Sequence, residues 1–187
     1  MGKLLGLPTI EQKLVKQLRR GNPKAQRELY EQVAPQMLSV GRRYTGSRQD
    51  AEEVLSNALI KVFNKIDQYK GDGPLTGWVH RIVVHESLNF IKYRKNLFVE
   101  VEEEEQDQFS HQNLQDKLNA EHLMTMIGEL PLGYRTVFNL CAIEGYTHKE
   151  VSEMLGIAEN TSKSQLSKAR KCLQKNLDQN KILYQEK

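Results

Sequence analysis

Residues 146–174 read YTHKEVSEMLGIAENTSKSQLSKARKCLQ, and their spacing decides the fold. Thr147 is followed three residues later by Glu150, the reciprocal pair of a helix-capping box. A short apolar pattern through Val151, Met154 and Leu155 stops at Gly156, where a left-handed helix end suits a residue without Cβ. A second helix is predicted to start around Asn160 and run to about Leu177. At about 100° per residue, Ser162, Leu166, Ala169 and Leu173 share one stripe, placed to lie on Val151, Met154 and Leu155. The opposite face collects Thr161, Ser164, Lys168, Lys171 and Lys175, with Asn160 and Gln165 on its flanks. From Asn160 to Asn176 there are five Lys or Arg and no acid. Helix, tight turn and basic helix together are the sequence form of a helix-turn-helix, whose second helix enters the DNA major groove. Polar side chains near its start suit base edges, and the cations beyond them suit phosphates. The plainer alternative is a solvated amphipathic helix. The turn, the caps and the one-sign charge favour DNA.

Upstream, apolar residues recur at three and four rather than alternating, so helices are expected throughout. Thr9 and Gln12 form a capping box for a helix that stops at Gly21. Asn22-Pro23 restarts the chain. That second helix runs towards Tyr44, with a kink expected at Pro35. Ser47 precedes a stripe of Ala51, Val54, Ala58, Val62 and Ile66. Lys70-Gly71-Asp72-Gly73-Pro74 is a strong breaker. A helix then runs from near Thr76 to about Asn96, with Trp78 expected in the core. Further helices are predicted over Leu114 to Ile127 and Pro131 to Ile143.

Charge is unevenly spread along the 187 residues, whose net value is +3. Residues 1–98 carry +8, residues 99–116 carry −7, and residues 117–187 carry +2. The acidic strip lacks core periodicity and reads as a linker, since clustered carboxylates repel one another. Two small all-α domains, 1–98 and 117–187, joined by the linker 99–116, are the economical architecture. The strip is read as a solvated spacer, with shielding of the basic faces as the sharper alternative.

Several function classes lose ground. Apolar runs fall short of the roughly 20 residues of a membrane span, and no secretion signal is visible, so a cytoplasmic protein without membrane insertion is expected. Cys141 and Cys172 have no companions at metal-ligand spacing, so no structural metal and no disulfide are expected, and Cys141 is placed in a core. His85-Glu86 lacks the second His of a zinc-protease helix, because Asn89 stands there. With no phosphate loop and no nucleophile–base pair, no cofactor and no enzymatic activity are expected.

Two separate motif sets then carry a resemblance. Leu130-Pro131, Arg135, Phe138, Leu140, Glu144-Gly145, Glu150, Leu155-Gly156-Ile157, Thr161, Lys163-Ser164, Leu166 and Ala169-Arg170 form the first. Leu29-Tyr30, Asp50 to Val54, Phe63, Tyr69 to Gly73 and Trp78 to Ile82 form the second. In this order the chain resembles bacterial RNA polymerase sigma factors of the extracytoplasmic-function class. The resemblance covers nearly everything beyond the first twenty residues.

That resemblance implies a transcription initiation factor whose partners are core RNA polymerase, promoter DNA and a restraining anti-sigma protein. It implies a stress- or envelope-responsive regulon. Asn160, Thr161, Lys163, Ser164, Gln165, Lys168 and Lys171 would contact the minus-thirty-five element. Arg81, His85, Asn89, Lys92, Tyr93, Arg94 and Lys95 would recognise and open the minus-ten element, which needs a pocket for an extruded base and a cationic path for a strand. Asp50, Glu53, Ser56, Asn57 and Ile60 would dock on polymerase. The rivals are a free-standing helix-turn-helix regulator and an interaction adaptor whose basic helix is incidental.

Overall fold

A computed structural model describes residues 9–97 and 120–185, and among these no strand occurs. The elements are α1 (Ile10–Arg19), α2 (Pro23–Thr45), α3 (Arg48–Lys65), α4 (Leu75–Leu97), α5 (Ala120–Glu129), α6 (Leu132–Phe138), α7 (His148–Leu155) and α8 (Glu159–Gln185). By contacts the chain divides into two compact units, one of residues 1–42 and 47–90 and one of residues 43–46 and 91–187. The two-unit, all-helical reading holds. The linker 99–116, and with it the shielding alternative, lies outside the described residues.

In the first unit each helix buries one stripe: Leu14, Val15 and Leu18 from α1, Leu29, Val33 and Met37 from α2, Val54, Ala58 and Val62 from α3, and Val79 and Val83 from α4. The Thr9–Gln12 capping box starts α1. Helix α2 continues through Pro35 as one element, and Pro35 is exposed. Helices α2 and α3 approach closely at Gly41: a Cβ there would stand 3.3 Å from both Cα and Cβ of Ala51. A 3₁₀ turn, Ile66–Gln68, leads from α3 into the loop before α4.

In the second unit Met126, Ile127 and Leu130 meet Ala169 and Leu173 of α8, with Tyr134 and Phe138 of α6 packed against them. Three boundaries differ from expectation. The helix predicted over 131–143 is α6 followed by a π-helical turn, Asn139–Ile143, widened where the Glu144 amide donates to the Asn139 carbonyl. Helix α8 runs past Leu177 to Gln185, because no Gly or Pro interrupts the chain there. Helix α5 begins at Ala120, and the predicted start at Leu114 lies outside the described residues.

Candidate nucleic-acid interface

Local chemistry builds the helix-turn-helix. The Thr147 side chain accepts from the Glu150 amide, and Glu150 accepts in return from the Thr147 amide. That backbone bond chiefly holds the Glu150 carboxyl below its ordinary range. Gly156 closes α7 at φ 70°, its amide donating to the Ser152 carbonyl. On α8 the stripe Ser162, Leu166, Ala169 and Leu173 is buried as its spacing requires, and Val151 of α7 is fully buried too. Buried Ser162 shares a 2.9 Å hydrogen bond with Nδ1 of His148, which also lies 3.6 Å from Sγ of Cys141.

The outward face of α8 exposes Asn160, Ser164, Lys168 and Lys171, with Thr161 half-buried. Two expected readers are partly engaged. Gln165 is half-buried and its amide lies over Gly133, where a Cβ would stand 3.3 Å from Nε2. Lys163 pairs with Glu159 at 2.7 Å, an acid one residue before the stretch counted as acid-free. Exposed Lys168 holds its Nζ 5.8 Å from the Tyr134 ring centroid, a cation–π contact that steadies it.

Along α4, Arg81, His85, Asn89 and Lys92 are exposed and fall within one narrow arc at about 100° per residue. Tyr93, 68% exposed, borders that arc. Arg94 is exposed but stands well off it, so the expected path through Arg94 is not continuous with Arg81 to Lys92. The Lys95 side chain lies outside the described residues. Asn89 donates its amide to Glu86 Oε1 at 3.0 Å, and Lys61 of α3 meets the same oxygen at 2.6 Å.

A cleft of about 170 Å³ opens beside the start of α4, lined by Tyr69, Asp72, Gly73, Pro74, Trp78 and Arg81. The sequence marks Gly71-Asp72-Gly73 as a breaker and as part of a resemblance motif, without a pocket there, and places Trp78 in the core. Trp78 is half-buried instead: its ring tilts 50° against Tyr69, with centroids 5.6 Å apart, and it forms one wall of this cleft.

On α3, Glu53, Ser56, Asn57 and Ile60 form an exposed surface, with Ile60 58% exposed. Asp50, also expected on that surface, is only 9% exposed. It sits at the third helical position after the cap Ser47, where the positive helix end favours a carboxylate.

Cys141 is half-buried rather than fully in the core, and burial raises its thiol pKa. Among the described residues no cluster of three His, Cys, Asp or Glu is placed to hold a metal, and no helix is long and apolar enough to cross a membrane.

Comparison with known proteins matches the same two halves. Residues 29–96 match the model of sigma-70 region 2 and residues 120–173 that of sigma-70, region 4. The ECF RNA polymerase sigma factor SigE of Mycolicibacterium smegmatis is 28% identical over 152 residues, covering 78% of this chain and 59% of the relative. The ECF RNA polymerase sigma-E factor of Escherichia coli K12 is 26% identical over 176 residues, covering 87% of this chain and 92% of the relative. Among solved structures, the sigma factor RpoE of Bartonella quintana, crystallised with the anti-sigma factor NepR, shares the fold at a TM-score of 0.52 and 20% identity, over 81% of this chain and 96% of that one. Two region models in family order, over the two helical halves already described, settle the classification: the chain belongs to the sigma-70 family of RNA polymerase sigma factors, in the extracytoplasmic-function class.

Proposed function

We propose that this sigma factor divides its work among three surfaces. The exposed face of α3, with Glu53, Ser56, Asn57 and Ile60, docks on core polymerase. The α4 strip from Arg81 to Lys92, with Tyr93 beside it, opens the minus-ten element, and the Tyr69–Trp78 cleft receives an extruded base. The outward face of α8 reads the minus-thirty-five element. Residues 1–98 form the polymerase-binding and melting domain and residues 117–187 the minus-thirty-five domain, with 99–116 as the acidic spacer between them. Two modest DNA-binding surfaces tied to one polymerase give selectivity through effective concentration. The factor works in the cytoplasm on a stress- or envelope-responsive regulon. It is restrained there by an anti-sigma protein, the kind of partner present in the Bartonella quintana complex.

One observation carries this reading: α8 sets an exposed cationic face on a buried stripe, held to α7 by a glycine turn. It is tested by run-off transcription with purified core polymerase on fragmented genomic DNA. Discrete start sites are expected with the parent and lost when Lys168 and Lys171 become Glu. A protein that neither binds core nor directs any start site overturns the reading.

A further inference from the structure

The loop that walls the cleft has one closing bond of its own, from the Tyr69 hydroxyl to the Gly73 carbonyl. Gly71 stands at φ 81°, and neither Gly71 nor Gly73 has a neighbouring atom within 4 Å of an added Cβ, so the apex is open on that side. Further restraint comes from α1, fifty or more residues earlier. Glu11 Oε1 lies 2.8 Å from the Tyr69 hydroxyl, and Glu11 Oε2 accepts from the Leu75 amide, the first of α4, at 3.1 Å. The Tyr69 hydroxyl also faces the Gly73 carbonyl, so one phenolic proton lies between two acceptors. Arg19 donates through Nη2 to the Tyr69 carbonyl at 2.8 Å, and its Nε lies 3.7 Å from Asp67. Thus α1 grips the segment at the start of the loop, at Tyr69, and at the first amide beyond it.

Neither Glu11 nor Arg19 lines the cleft. Their effect on a bound base is therefore indirect. They fix the backbone that carries Tyr69 and Gly73, and they fix the first turn of α4, from which Trp78 and Arg81 project. A wall ordered in advance spares the ordering cost that binding would otherwise carry, and it sharpens discrimination between bases of different shape.

We infer that Glu11 is a positioning residue for promoter opening: its carboxylate bridges Tyr69 and the start of α4, and so sets the shape of the cleft that selects the extruded base. This rests on the reading that the cleft takes a base, and the two are separable by experiment.

Holoenzyme is assembled from core polymerase and the full chain carrying Glu11→Gln, Glu11→Ala or Arg81→Ala. Open-complex formation is timed on four templates that differ only in the base at the upstream edge of the minus-ten element. The Gln variant keeps the size of the side chain and one acceptor, so it covers the case in which Ala disturbs folding. Core affinity is expected to stay within about twofold for the Glu11 variants, the range of substitutions off a binding surface. The rate ratio between best and worst template is expected to narrow about fivefold in Glu11→Gln, the effect of one hydrogen bond. A mere loss of folded molecules slows all four templates alike and leaves the ratio unchanged. An unchanged ratio in both Glu11 variants, with Arg81→Ala slowing opening, overturns the inference and spares the cleft reading. If Arg81→Ala also leaves rates and ratio unchanged, the cleft reading falls, and the inference falls with it.

Discussion

Nδ1 of His148, the first residue of α7, is hydrogen-bonded at 2.9 Å to Oγ of Ser162, a residue of α8 with no exposed surface. The bond ties the two helices of the DNA-reading motif together at the one polar position of an otherwise apolar stripe. Ser162→Ala removes the hydroxyl while leaving space for the ring. It is expected to cost about 1 kcal/mol in urea unfolding. It should also weaken binding to minus-thirty-five duplex, measured by fluorescence anisotropy. Unchanged stability in Ser162→Ala would mean the bond adds nothing over solvent.

Gly41 lies against the backbone of Ala51, and its helical neighbours cannot yield as a flexible side-chain tip would. Gly41→Val is expected to push α2 and α3 apart and destabilise the first unit by about 1–3 kcal/mol, as overpacking does. Denaturant unfolding checks this. A variant as stable as the parent would show that the two helices slide at no cost.

Ile60 offers the largest apolar exposure on α3 without supporting the core. Ile60→Asp is expected to leave the melting temperature nearly unchanged and to lower affinity for core polymerase at least tenfold, in the range of a hot-spot residue at about 2 kcal/mol. Competition between labelled parent and variant for core polymerase measures it.

Tyr69 should titrate late. Burial first, and then the hydrogen bond to Glu11, push its pKa up to about 12 from 10.0. The folded phenol holds its proton more tightly than the unfolded one, so this contribution to stability is complete below pH 10 and is lost as pH rises through about 12. Ultraviolet titration of the parent against Tyr69→Phe isolates the group. In Glu11→Gln the midpoint should fall towards 10 without reaching it, because burial is the larger cause. A midpoint near 10 in the parent would contradict the buried, bonded geometry.

What was legible in the chain was local. Thr147, Glu150 and Gly156 determine their turn within ten residues, and the α8 stripe follows from helical period alone. The cleft was not legible, because its walls are set by Glu11 and Arg19 meeting residues fifty or more positions away. No periodicity records such a meeting. Asp50 shows the same limit at one residue: its place on the helix wheel puts it near the exposed arc, but the fold withdraws it from solvent. Helical period puts Gln165 on a flank of the basic face and the resemblance implies a DNA contact for it, yet its amide lies over Gly133. The π-helical turn after Phe138 depends on a carbonyl meeting an amide one residue later than in an α-helix, and no residue type announces it.

Glu86 answers to two helices at once. Its side chain is 10% exposed, against 44% for Lys61 on α3, and it also holds the amide of Asn89. The partnership is unequal. Losing Lys61 strands a carboxylate away from water, whereas losing Glu86 leaves a lysine that already reaches solvent. Heritable change at this spot therefore has a preferred order: position 86 must be neutralised before position 61 is free to vary. Because the Asn89 amide rests on the same carboxylate oxygen, the first step also frees that side chain on the exposed face of α4 before α3 gains any latitude.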